Sequence, residues 1–263
     1  ALASALTWAG IPTSPEALEN DLFIPAKKGT LQIELIAQAR RRGRLVYRID
    51  GKLGAVLDEL NAGHPVLVLE NLGLGWFPVW HYSVVFGFEP DQGQLLLHSG
   101  TERRRMVPLK TFARTWGRSE SWAVVVLPPG RLPATADVSR FLKSASSFEA
   151  FGDTASANRA YSAAVKRWPQ SAAVHFALGN SHFERDQYAS AAKAYRQAIA
   201  LDNRYGAAHN NLALALVEQS RWEEALMAAK RAVDLGGVFA EEYRDTLETI
   251  RYKRSEHLSS STP

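Results

Sequence analysis

One run in the first half of the chain carries a group suited to proton transfer: Trp76-Phe77-Pro78-Val79-Trp80-His81-Tyr82-Ser83-Val84-Val85-Phe86-Gly87-Phe88. A histidine that opens an apolar strand after a loop of glycine and tryptophan can face a cleft while the strand fixes its backbone, which is how a general base is held. Taken alone, a histidine at a strand start is more often structural. Glu70 and Asn71, at the end of the preceding apolar run, are further polar candidates beside the same cleft. Trp76 and Trp80, with Trp116 further on, either line a substrate cleft or fill the core, since large aromatics supply much of a domain's buried area. Gly-rich phosphate loops, paired metal ligands and a Ser-centred elbow are all missing from this half. With zero cysteines there is no disulfide, zinc-thiolate site or cysteine nucleophile within these 263 residues. The expectation is chemistry without a metal and without a cofactor.

A chain of 263 residues, 46% hydrophobic and 22% charged, is globular and long enough for two domains. Its longest apolar runs, 65–69 and 123–127, fall far short of the roughly 20 residues a membrane-spanning helix needs. The formal charge is +4, but the basic residues form only two short clusters, Arg40-Arg41-Arg42 with Arg44 and Arg103-Arg104-Arg105. A phosphate-backbone binder carries a broader basic face, so no nucleic-acid partner is expected. The clusters read as solvated arginines at a helix end and after a strand.

Around His81 the pattern is mixed. Helices are expected over 1–9, ending at Gly10, over 30–42 and over 52–61, the second with Leu31, Leu35, Ile36 and Ala39 at helical spacing. Strands are expected over 65–70, 81–88, 94–98 and 121–127, with Asp91-Gln92-Gly93 as a hairpin turn and a helix over 109–116 before the last. Helices followed by an antiparallel sheet give an α+β domain over 1–127. The proline-dense stretch 128–137 is a connection of limited flexibility.

After it the chain repeats. In steps of 34, Ala157, Ala191 and Ala225 align, as do Tyr161, Tyr195 and Ala229, then Ala164, Ala198 and Ala232, and at the unit ends Pro169, Asn203 and Gly237. The small residues let paired helices approach closely, the tyrosines fill the groove toward the next unit, and Pro169 ends a helix. This spacing resembles the tetratricopeptide repeat. Three units are expected, 138–171, 172–205 and 206–239, then a capping helix within 240–257 and a disordered tail over 258–263. The resemblance implies an all-α array whose concave face takes a peptide or a partner protein. His175 and His209 fall at equivalent places in two units, as surface or groove residues rather than a metal site.

The order of elements ahead of the linker also resembles a known family. Small-residue helix, further helices, apolar strand, then His81-Tyr82 with Gly87 and a hairpin is similar to the papain-like cysteine peptidases that process bacteriocin leaders. In that family the nucleophile lies in a Cys-Gly-Pro motif at the start of the first helix, and Ala1-Leu2-Ala3-Ser4-Ala5-Leu6 looks like the stretch directly after that motif. The resemblance implies that the cysteine and the oxyanion glutamine lie ahead of Ala1, and that the chain as given is an inactive fragment. It assigns His81 as the general base that keeps the thiol ionised. The family's orienting aspartate sits in an Asp-Pro pair; Leu97-His98-Ser99-Gly100 occupies that stretch here, with no carboxylate. Ser99, or His98 if the hairpin is one residue longer, would then hold the imidazole, and Trp76, Trp80 and Asn71 would be the substrate-binding candidates.

The function implied is peptide-bond hydrolysis by a thiolate, with the repeats presenting a protein substrate or partner. Two alternatives stand beside it. The chain is a non-catalytic adaptor whose cleft recognises a peptide without cutting it, or a scaffold whose repeats drive assembly. By resemblance the location is the periplasm or cell envelope of a bacterium, with membrane attachment only through a segment ahead of Ala1.

Overall fold

The structure, a computed structural model, describes residues 1–22, 30–100 and 102–260. Its contacts divide the chain into two compact units, Ala1–Ser156 and Ala157–Pro263. The first contains α1 (Leu2–Trp8), α2 (Glu16–Leu22), α3 (Gln32–Arg41), β1 (Leu45–Arg48), α4 (Leu53–Asn61), β2 (Val66–Asn71), β3 (Trp80–Glu89), β4 (Gln94–Ser99), β5 (Glu102–Pro108), α5 (Leu109–Gly117), β6 (Ala123–Leu127) and α6 (Val138–Ala150). The six strands form one sheet in the order β1-β6-β2-β3-β4-β5. All neighbours run antiparallel. The α+β reading holds, with two strands and one helix that the sequence pattern left unmarked. β1 is four residues long. β5 begins Glu102-Arg103-Arg104-Arg105 and lies at the sheet edge, where charged side chains protect unpaired backbone from other strands. The arginines expected after a strand are therefore part of one.

Alternation along the strands builds the core. Val46, Leu67, Leu69, Val84, Val124 and Val126 project from one face into a cluster with Leu2 and Leu6 of α1 and Leu35 of α3. Antiparallel pairing also fixes which connections meet. The β2–β3 loop, the β4–β5 turn, the end of β1 and the start of β6 all lie at the same end of the sheet. His81 begins there.

The Pro-rich stretch is strapped to this unit by a buried acid. Glu59 of α4 is fully buried. One of its oxygens accepts from the Ala134 N–H at 3.0 Å and lies 2.7 Å from His64 Nδ1. The other accepts from the Thr135 N–H at 2.9 Å and the Thr135 hydroxyl at 2.7 Å. Burial pushes the Glu59 pKa up, yet the bonds from His64, Thr135 and Ala134 outweigh it and hold the group ionised below the usual carboxylate range. Asp137 then caps α6 through the Arg140 N–H at 2.9 Å, and Arg140 reaches back to Asp50 at 2.6 Å. α6 packs on β1 and counts with the sheet, and the division between the units falls inside α7 (Thr154–Arg167).

The second unit continues with α8 (Ala172–Phe183), α9 (Tyr188–Leu201), α10 (Gly206–Val217), α11 (Trp222–Leu235) and α12 (Ala240–Ser260). α8 and α10 start 34 residues apart (206 − 172), as do α9 and α11 (222 − 188). Gly179 sits where a Cβ would come within 2.5 Å of the Tyr195 ring, so the close approach of α8 and α9 requires glycine. α12 runs through residues 258–260, part of the tail expected to be disordered, while 261–263 lie outside the described residues. No helix among the described residues is long and apolar enough to cross a membrane.

Candidate functional site

His81 pairs across the sheet with Glu70 of β2, and its neighbour Ser83 pairs with Ser99 of β4. These registers gather four polar side chains at one end of an otherwise apolar sheet. His81 Nε2 lies 2.9 Å from Ser99 Oγ, which also accepts from Arg105 Nη1 at 3.4 Å. The imidazole also borders an adjoining cavity. That cavity, of about 390 Å³, is lined by His81, Tyr82 and Gly100 together with Ala1 and Leu2 of the first helical turn and Leu35 of α3. Gly100 brings backbone beside the imidazole at a positive φ of 59°, and a Cβ there would stand 4.0 Å from His81 Cε1.

Glu70 is buried and accepts from the Ser83 hydroxyl at 2.9 Å and the Thr115 hydroxyl of α5 at 2.8 Å. Burial lowers the His81 pKa, the Glu70 carboxylate opposes this, and the Arg105 charge adds to the lowering. The balance keeps the imidazole neutral at pH 7, the state in which it accepts a proton. Burial pushes the neighbouring Tyr82 hydroxyl up to about 12, and it donates to the Thr30 carbonyl at 3.3 Å.

Of the residues singled out from the sequence, Ser99 meets His81. His98 points away, with its ring 4.6 Å from Phe86 and its pKa lowered by burial. Asn71 is buried, and its Oδ1 accepts the backbone N–H groups of Gly73 and Val79 at 3.0 and 2.9 Å, so it shapes the β2–β3 loop. Trp76 and Trp80 do not line the cavity; they are 82% and 56% exposed. Trp116 is core, stacked on Phe112 at 5.4 Å. The contribution the sequence understated is Glu70, because its partners Ser83 and Thr115 come from separate elements and only the strand register reveals them. No group of three or more metal-ligating side chains occurs among the described residues.

In the repeats, His175 Nε2 lies 2.9 Å from the Pro169 carbonyl and His209 Nε2 lies 3.2 Å from the Asn203 carbonyl, the same bond in successive units. Both histidines fasten a helix start to the preceding turn. A polar ladder crosses the same helices: Asn180 Oδ1 of α8 accepts from Tyr195 of α9 at 2.9 Å and from Asn211 of α10 at 3.0 Å. All three members lie within the second unit.

Comparison with known proteins bears on the helices from α6 to α11. Residues 142–204 and 176–237 match the tetratricopeptide repeat family. Among solved structures, the Sgt2 repeat domain from Aspergillus fumigatus is 21% identical, covering 47% of this chain and 82% of that one, with a TM-score of 0.43. The second repeat domain of human RPAP3, solved with an HSP70 peptide, is 20% identical over 42% of this chain and 92% of its own, with a TM-score of 0.39. The type III secretion translocator chaperone SycD from Yersinia enterocolitica is 18% identical over 44% of this chain and 83% of its own, with a TM-score of 0.41. No curated protein matches the chain. Residues 142–237 are tetratricopeptide repeats.

Proposed function

We propose that the chain is an adaptor that binds a peptide or protein segment through its repeats, with the His81 cavity as a second recognition cleft. The observation that carries this reading is the tetratricopeptide assignment of residues 142–237, with the Asn180–Asn211 ladder offering side-chain amides across two successive repeats. An amide both donates and accepts, so such a ladder suits an extended backbone. The test is selection of a displayed peptide library on the full chain. Bound peptides recovered uncut, with affinity falling roughly fivefold for each of Asn180→Ala and Asn211→Ala, support the reading. Affinity indifferent to both substitutions removes the ladder from it.

A second reading is favoured by one observation: the half-buried neutral imidazole of His81, held by Ser99 at 2.9 Å, faces a cavity lined by the first turn of α1. That is the placement a general base needs to serve a thiol presented by that turn, and it supports a cysteine peptidase with the nucleophile ahead of Ala1. The experiment is to add the residues native to that position and apply a thiol-directed probe at neutral pH. Labelling that depends on His81, measured against His81→Ala, supports the peptidase. A thiol that labels no faster than a free one, or no cysteine there, leaves the adaptor.

A further inference from the structure

The β2–β3 loop exposes large apolar side chains on a backbone that is held in place. Across residues 72–80, Trp76 is 82% exposed, Phe77 68% and Trp80 56%, and Leu74 and Val79 are exposed beside them. The stretch is neither frayed nor short of hydrogen bonds. Leu72 N–H donates to the Val79 carbonyl at 2.9 Å, Leu74 and Phe77 exchange two bonds at 3.1 Å, and Asn71 holds both ends from beneath. Arg118 donates to the Gly73 carbonyl. A Cβ on Gly73 would come within 2.4 Å of the Phe77 carbonyl oxygen, so this tight shape needs glycine there. A well-formed loop that leaves two tryptophans and a phenylalanine in water is presenting them.

The surroundings identify the partner. Residues 71–80 contain no charged side chain. The strand ends and the α5–β6 turn at this end of the sheet carry exposed Arg48, Arg103, Arg104 and Arg118, against exposed Asp50, which is paired with Arg140 at 2.6 Å, Glu102, which is 3.9 Å from Arg105, and Glu120. An uncharged projecting tip of tryptophan, phenylalanine and leucine above a cationic collar is the composition that enters the headgroup boundary of an anionic bilayer. We propose that this loop docks the protein on an anionic membrane surface, with Trp76, Phe77 and Trp80 inserted among the headgroups and the four arginines against lipid phosphates. The inference is independent of the peptide-binding reading. It would place the mouth of the His81 end of the sheet at the bilayer.

Co-sedimentation of the full chain with phosphatidylglycerol/phosphatidylcholine vesicles, set beside vesicles of phosphatidylcholine alone, tests it. The expected result is binding to the anionic vesicles that falls at least tenfold in Trp76→Ser/Phe77→Ser. A smaller, salt-sensitive loss is expected in Arg103→Gln/Arg104→Gln, with circular dichroism unchanged in both variants. The proposal is overturned if the chain ignores anionic vesicles, or binds them equally well without the two aromatics. It is also overturned if sedimentation velocity shows a dimer that the loop variant dissolves while vesicles are not bound, since the occupant is then a second copy.

Discussion

The two units bury different things. In the sheet unit the interior includes Glu59, His64, Glu70, Asn71, Ser83, Ser99 and Thr115. Among the described residues 157–260, the buried set is built on Ala157, Ala164, Ala191, Ala198, Ala213, Ala225 and Ala232 with Tyr161 and Tyr195 between them, and its buried polar residues are Ser181 and Asn210. A buried acid or imidazole has to be matched by hydrogen bonds and responds to pH, whereas an alanine interface responds to volume alone. The sheet unit therefore keeps its reactive groups inside, and its stability is tied to their ionisation. Among the described residues the repeats bury no acid and no imidazole, and what they recognise must be read on their surface.

The largest expected effect tests this contrast directly. Glu59→Leu removes the acceptor for two linker N–H groups, the Thr135 hydroxyl and His64 together, and breaking such a buried network costs about 3–5 kcal/mol. In a urea titration followed by site-specific probes, the transition of the sheet unit should fall to lower urea while that of the repeats stays put. If both transitions move together, the units are one cooperative block and the contrast is wrong. The matching change on the other side is Gly179→Ala, whose methyl group would strike the buried Tyr195 ring, at about 1–3 kcal/mol. It should lower the repeat transition and leave the sheet transition alone.

That asymmetry also explains what was legible in the sequence. A repeat interface is a matter of residue size at fixed spacing, and both are printed in the chain: Ala191 and Ala225, Gly179 and Tyr195 locate α8 to α11 from spacing alone. The polar cluster of the sheet is a matter of register between strands distant in sequence. His81 stands out by its place at a strand start, and Ser99 by a family resemblance. Glu70 reaches its place because it pairs with His81 and because α5 supplies Thr115, which no local pattern announces. β5 is hidden because three arginines mask the alternation of an edge strand, and the Trp76 loop because apolar residues in sequence usually mean burial.

The third effect is smaller and depends on pH. Burial holds the His81 pKa below the usual 6.5, so the unfolded chain takes up a proton at a higher pH than the folded one. The neutral ring's contribution is complete above about pH 6.5 and is lost as pH falls from there through the folded value. His98 and His209 are lowered by burial as well, so the slope of stability against pH below 6.5 contains all three. The difference in slope between the parent and His81→Gln isolates the site. Equal slopes would mean that His81 is as solvated folded as unfolded.

The finest test separates the two charges that act on that ring from opposite sides. Glu70 raises the His81 pKa and Arg105 lowers it, so removing them moves the titration in opposite directions. In an NMR titration of the His81 ring, Glu70→Gln should lower the midpoint, because the neutral amide keeps partners in Ser83 and Thr115 but no longer favours the imidazolium. Arg105→Gln should raise it, by less, since Arg105 is exposed and its field is screened by water. Shifts of the same sign would mean that both substitutions act by disturbing the sheet edge rather than through charge. Opposite shifts would establish that this pair of side-chain charges sets the protonation of an imidazole facing a cavity, whereas in the repeats His209 is lowered by burial against a bond to the Asn203 carbonyl that raises it.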